Sequence, residues 1–223
     1  MPKSIAIDGP VGAGKTTIAK MLAESLGIRY LDTGATYRAI ALKALREQIS
    51  PRDADAMRRM LQSTEVSVRW EEGLQRTLLD GEDISEHIRT PEAGDAGSVI
   101  STHSFVREKM VALQRECAMR TDMVLDGRDI GTRVLPGAAF KFYITASSEV
   151  RAKRRYDELI RRGVNCEYAQ VYDALMARDS LDMNRAVDPL RRAADAIEID
   201  TTELDLPGVL EKLLSIIREG RNG

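Results

Sequence analysis

An α/β fold, with a parallel β-sheet flanked by helices, is predicted for this chain by three observations. Short apolar runs suited to buried strands alternate with amphipathic helical stretches. The first such run stops at Asp8, and a glycine-dense loop then leads straight into a helix-compatible segment. The length of 223 residues, 43% of them hydrophobic, suffices for a sizeable core.

Taken in order, residues 4–7 read as the first strand and 15–26 as its helix, followed by a strand at 29–31 and a helix at 35–46. From 65 to 84 the apolar period drops to two (Val66, Val68, Trp70, then Leu78 before the turn Asp80-Gly81), which predicts an inserted antiparallel hairpin. Helical spacing returns after Pro91, with Val106, Met110, Leu113 and Cys117 on one face, and Met123-Val124-Leu125 forms a buried strand ending at Asp126-Gly127. Residues 140–144 give another strand, Ser147-Ser148-Glu149 a helix start, 151–163 and 166–186 two charged helices meeting at Gly163, 196–200 a last strand and 206–218 a last helix. The expected organisation is a core over 1–63, 96–150 and 187–223, interrupted by an insertion at 64–95 and a charged helical region at 151–186.

Thirty-three basic and 35 acidic residues leave a net charge of −2, so nothing points to nucleic acid or a membrane surface as a partner; any anion must be held locally. The chain opens Met-Pro-Lys-Ser without a signal-like segment and has no apolar run long enough to span a bilayer, so a cytoplasmic location is expected. Cys117, Cys166, His87 and His103 share no ligand spacing, which argues against a metal cluster or thiol chemistry.

Gly9-Pro10-Val11-Gly12-Ala13-Gly14-Lys15-Thr16 matches G-x-x-x-x-G-K-[ST], placed between strand and helix as that motif requires, with Thr17 following. Glycines let backbone N–H groups converge on phosphate oxygens, and the helix N-terminus adds its positive dipole end. Lys15 is suited to the β- and γ-phosphates of a nucleoside triphosphate, and the Thr16 hydroxyl to Mg²⁺.

No N-K-x-D segment is present, so a guanine-reading switch is disfavoured. Instead, Asp32 stands at a strand tip with Arg38 in the next helix, and Arg128-Asp129 follow another strand's carboxyl end, the edge where open α/β sheets bind ligands. Arg178, Asp182 and Arg185 share one helix face. Alone they read better as an exposed ion-pair ladder; beside a phosphate loop they suggest a second anion-binding half.

The combination DGPVGAGKTT, LDTGATYR, LLDGEDISEHIRT, LDGRDIGT and RDSLDMNRAVDPL resembles the bacterial cytidylate kinases, of the P-loop nucleoside monophosphate kinase superfamily, over essentially the whole length. The resemblance implies a nucleoside monophosphate kinase fold in which 64–95 is the acceptor-binding insertion and 151–186 a lid. It implies transfer of the γ-phosphoryl group of ATP to CMP or dCMP with Mg²⁺; a monomer is expected. Position by position, Arg38 and Arg128 would hold the CMP phosphate, while Ser98, Arg107 and Asp129 would read cytosine. Arg178 and Asp182 would meet ribose and phosphate, Arg185 would arrive with the lid, and Asp32 and Thr33 complete the substrate-binding set. Lys15, Arg128, Arg178 and Arg185 are the expected catalytic residues. Thr33 stands where some members have Ser, and Thr16-Thr17 where some have Gly-Thr; both keep a hydroxyl. Most of Arg151, Lys153, Arg154 and Arg155 are expected on a solvated face. The competing readings are a kinase for another small anion (UMP, AMP or a shikimate-like acid) and a nucleotide-dependent binding protein.

Overall fold

The computed structural model describes residues 4–220; residues 1–3 and 221–223, the extremes of the first and last core segments, lie outside the described residues. The first half comprises β1 (Ser4–Asp8), α1 (Lys15–Leu26), β2 (Arg29–Asp32), α2 (Thr33–Arg46), α3 (Ala54–Gln62), β3 (Val66–Glu71), β4 (Leu74–Leu79), β5 (Glu82–Asp83), a 3-10 turn at His87–Arg89 and α4 (Pro91–Ile100). The second comprises α5 (Ser104–Arg120), β6 (Met123–Gly127), a π-helical turn at Ile130–Val134, β7 (Phe140–Thr145), α6 (Ser148–Arg161), α7 (Tyr168–Asn184), β8 (Ile197–Asp200) and α8 (Leu206–Glu219).

Five strands form one parallel sheet in the order β2-β6-β1-β7-β8, as the alternation of strands and helices predicts. All residues of β1 are buried because helices cover both faces. Ile5 and Ile7 pack with Ile18 and Leu22 of α1 and Leu213 and Ile217 of α8, whereas Ala6 joins Leu31, Leu125, Val111 and Cys117 on the opposite face. The parallel register pairs Asp8 with Gly127 and Asp32 with Asp126. Three carboxylates are thereby brought to one edge of the sheet.

The predicted hairpin is a three-stranded antiparallel sheet, β3-β4-β5, within the 64–95 segment. Trp70 Nε1 donates to the Tyr30 carbonyl at 2.9 Å, and the Asp32 N–H donates to Gln75 Oε1 at 2.7 Å, so this sheet is tied to the free edge of β2. One helix, α3, was not expected from the sequence. Asp53 caps it by accepting from Ala56 N–H at 3.0 Å, and Met57, Met60 and Leu61 are its buried face. Among the described residues no helix is long and apolar enough to cross a membrane.

Candidate active site

The glycine-rich loop follows β1 because Gly9 permits it. Its φ is 147°, and a Cβ there would lie 2.0 Å from the Ile144 carbonyl oxygen. Lys15, the first residue of α1, is buried and donates from Nζ to the Pro10 carbonyl at 2.6 Å. Burial, and then the Arg128 charge, push its pKa well below the usual lysine value, against the pull of Asp126, Asp182 and Asp8. A buried ammonium facing a guanidinium favours an anion between them. Thr16 and Thr17 are both exposed at the start of the helix.

The Thr16 hydroxyl donates to Asp126 Oδ2 at 2.8 Å, and the Tyr30 hydroxyl donates to Asp126 Oδ1 at 2.8 Å. Burial first, and Asp32 next, raise the Asp126 pKa, while Lys15 lowers it. Asp126 is absent from the site expected from the sequence. The available signal was an acidic residue at the carboxyl end of the strand beside β1. A hydroxyl and a carboxylate are hard oxygen donors that suit Mg²⁺, whose remaining coordination usually comes from phosphates and water. Among the described residues there is no group of three or more His, Cys, Asp or Glu side chains that could hold a metal alone.

Across the edge of the sheet, arginines converge. Asp32 Oδ1 caps α2 by accepting from Ala35 N–H at 3.0 Å, and its Oδ2 accepts from Arg38 Nη2 at 2.6 Å. Burial opposes ionisation of Asp32, but Arg38 and the capping N–H outweigh it and hold the pKa below the ordinary value. Arg38 fits because α4 carries Gly97 opposite it, where a Cβ would approach Arg38 Cγ to 3.2 Å. Arg128 Nε donates to Asp182 Oδ2 at 2.8 Å. Arg178 Nε is buried with no hydrogen-bond partner. Burial, followed by the Arg128 charge, lowers the Arg178 pKa to about 10; Asp182 and Asp95 oppose the shift and Arg38 adds to it. Arg38, Arg128 and Arg178 therefore face one another, and among the described residues only Arg38 and Arg128 of the three hold a carboxylate in an ion pair.

A second constellation adjoins the first. Arg107, 1% exposed, donates from Nη2 to Asp129 Oδ2 and from Nε to Asp188 Oδ2 at 3.0 Å. Arg185 Nη2 lies 3.3 Å from Asp129 Oδ1. The Ser98 hydroxyl is buried and has no partner. The turn carrying Arg128 and Asp129 is anchored by Asp8, whose two oxygens accept from Ile130 N–H and Gly131 N–H, each at 2.7 Å. Burial raises the Asp8 pKa to about 6 against those two donors. Asp8 and Asp188 were also not singled out from the sequence.

The exposed-ladder alternative for α7 does not hold, because Asp182 pairs with Arg128 and Arg185 with Asp129 on other elements. Thr33 is buried, and its hydroxyl donates to the Asp126 carbonyl at 2.7 Å. The four cations at the start of α6 divide, with Arg155 paired to Glu158 one turn on. Lys153 pairs with Asp157 in solvent, whereas Arg154 donates to Thr201. Arg151 is buried and donates to the Val11 carbonyl of the glycine-rich loop at 3.0 Å and to Asp179 Oδ2 of α7 at 2.5 Å. It is thus one of the four that does not lie on a solvated face: the α6 backbone lies against the loop, and a Cβ on Gly12 would come within 2.8 Å of the Arg151 carbonyl oxygen.

A parallel α/β sheet with a phosphate loop after its central strand, facing an arginine-rich cleft, defines a P-loop phosphotransferase. A solved gluconokinase from Sinorhizobium meliloti shares the fold, with a TM-score of 0.50 and 15% identity over 99% of this chain and 95% of that one. The sequence profile of the Cytidylate kinase family matches residues 5–219. The cytidylate kinase of Caldicellulosiruptor bescii is 47% identical over 96% of this chain and 94% of its own length. That of Caldanaerobacter subterraneus is 48% identical over 98% and 96%. The chain belongs to the cytidylate kinase family.

Proposed function

We propose that this protein transfers the γ-phosphoryl group of ATP to CMP or dCMP, giving ADP and CDP or dCDP. The observation that carries this reading is the clustering of Arg38, Arg128 and Arg178, whose Nε is buried without a hydrogen-bond partner, with Arg128 acting on Lys15; the Arg107–Asp129 pair and the unpartnered Ser98 hydroxyl are read as the pocket for the base. The arginines suit the acceptor's phosphate. The pocket suits cytosine, which offers an amine donor next to the N3 and O2 acceptors.

A nucleoside monophosphate has a second pKa near 6, so its attacking oxygen is already largely ionised at neutral pH. No general base is then required, and the site's work is alignment and charge stabilisation. In this reading the loop from Gly9 to Thr17 holds the donor's phosphates, with Lys15 on the transferring end. Arg128, Arg178 and Arg185 neutralise charge across the acceptor and the group in flight. Thr16 and Asp126 would hold Mg²⁺, which when bound shields phosphate charge. Asp182 keeps Arg128 aimed, and Asp32 does the same for Arg38. The insertion at 64–95 is read as the acceptor-binding unit and 151–186 as the lid. The enzyme is read as a cytoplasmic monomer whose partners are nucleotides, without nucleic acid or membrane.

The test is ADP formation from ATP and Mg²⁺ with CMP, dCMP, UMP, AMP or shikimate offered singly. Rapid multiple turnover with CMP and dCMP is expected. Turnover confined to another acceptor, or absent with all five, would refute the reading.

A further inference from the structure

Asp188 follows α7 and precedes Pro189, and its φ of 45° is one that L side chains rarely adopt. That backbone conformation presents two acceptors from one residue. Its carbonyl accepts from Arg185 Nε at 2.7 Å and from Arg185 Nη2, while its carboxylate accepts from Arg107 Nε at 3.0 Å and lies 3.6 Å from Arg133 Nε. Arg107 and Arg185 meet again at Asp129, one on each carboxylate oxygen. The four residues close a ring, Arg107 to Asp129 to Arg185 to Asp188, with two cations and two anions.

The ring has a directional consequence. A guanidinium can grip a carboxylate with two parallel N–H bonds. Arg107 has Nε committed to Asp188 and only Nη2 committed to Asp129. Arg185 likewise spends Nε on the Asp188 carbonyl and reaches Asp129 through Nη2 alone, at 3.3 Å. Asp129 is thus approached by single donors from two sides and keeps lone pairs for a third.

We propose that Asp188 is a specificity-positioning residue: by occupying Arg107 Nε it prevents a two-pronged Arg107–Asp129 grip and leaves Asp129 able to accept from the acceptor's exocyclic amine. The inference rests on the reading that Asp129 and Arg107 face cytosine. It separates recognition of the base from recognition of the phosphate, because the side-chain partners of Asp188 are Arg107 and Arg133 and not Arg38, Arg128 or Arg178. It also ties the end of α7 to the base pocket, since the Leu190 N–H donates to the Asp182 carbonyl at 2.8 Å in the same segment.

Asp188→Gly removes the carboxylate, suits the left-handed backbone and keeps the carbonyl for Arg185. Asp188→Asn keeps a side-chain oxygen for Arg107 in a residue that tolerates this conformation. Steady-state constants for CMP, UMP and ATP are measured for both variants and the unmodified enzyme. In Asp188→Gly, kcat/KM for CMP is expected to fall about 10- to 100-fold, chiefly through KM, with UMP and ATP constants within about threefold. Asp188→Asn is expected to recover most of the loss. If CMP and UMP decline in parallel in the glycine variant, or if CMP kinetics are unchanged, the inference is overturned while the proposed function stands. If the unmodified enzyme shows no preference for CMP over UMP, the base-reading assignment fails and this inference fails with it.

Discussion

Thr16 Oγ1 and Asp126 Oδ2, 110 residues apart in sequence, are 2.8 Å apart at the carboxyl edge of the sheet. The contact joins the phosphate loop to the strand that leads into the Arg128-Asp129 turn, and it sets a hydroxyl and a carboxylate side by side where Mg²⁺ would be held. Asp126→Asn keeps an acceptor for Tyr30 or Thr16 but loses the charge. It is expected to lower kcat about 100-fold or more while KM for CMP changes little. Circular dichroism checks the fold, and near-normal turnover in a folded variant would remove Asp126 from the account.

Arg178 sits where stability and function conflict. Its Nε is buried without a hydrogen-bond partner, which costs free energy in the ligand-free protein even with Asp182 and Asp95 acting on its charge. Arg178→Met should therefore leave thermal stability unchanged or raised, and should weaken CMP, with KM raised about 10- to 100-fold for one lost charge-assisted contact. Calorimetric melting and CMP titration on the same sample check both halves; a variant that is less stable yet binds CMP normally would make Arg178 structural.

Asp8 supplies a pH dependence of stability. Its folded pKa of about 6 lies above the unfolded value of about 3.9, so the native state keeps the proton longer. Stability from this group is therefore present at low pH and lost as pH rises between the two values, by about 3 kcal/mol in total. Asp129 and Lys15, the charged groups acting on Asp8, are retained in Asp8→Asn, which lacks the titration. Urea unfolding from about pH 4.5 to 7.5 should show the unmodified protein losing ground relative to the variant as pH rises. Parallel curves would show that Asp8 does not titrate in this window.

The lid reading makes a regional prediction. Arg151, Leu175 and Asp182 are buried, so both helix ends nearest the core are anchored, whereas Ile160 and Tyr168 are 46% and 39% exposed near the far end. Backbone amides of about residues 156–174 should exchange rapidly in the free protein and slow when ATP and CMP analogues bind together. Equal exchange with and without the pair would make α6 and α7 a fixed part of the core.

What was legible in the sequence was local or periodic. The phosphate loop is a contiguous motif, and the strands and helices around it announce themselves by spacing. Arg38, Arg128 and Asp182 were visible as candidates because each stands near a strand end or on a shared helix face, but their pairing needed the sheet order. Ser98 and Arg107 came only from the family resemblance; nothing in their spacing marks them. Asp126, Asp8 and Asp188 were missed because their roles come from partners far along the chain: Thr16, the Ile130 and Gly131 amides, and Arg107. The π-helical turn escaped for a different reason. Its i to i+5 bonds, from Val134 N–H to the Asp129 carbonyl at 3.1 Å and from Leu135 N–H to that of Ile130 at 2.7 Å, leave no apolar period to read. The helix α3 could have been found, since Asp53 precedes Met57, Met60 and Leu61 at helical spacing.

The central claim is that the arginine cleft and the Asp129 pocket together select a cytosine monophosphate. Its most direct test is a competition in which CMP, dCMP, UMP and AMP are present together at equal concentration with limiting ATP and Mg²⁺, and the diphosphates formed are separated and quantified. CDP and dCDP are expected to take nearly all of the transferred phosphoryl group. A product mixture in which UDP matches them, or in which AMP is consumed as fast as CMP, would contradict it.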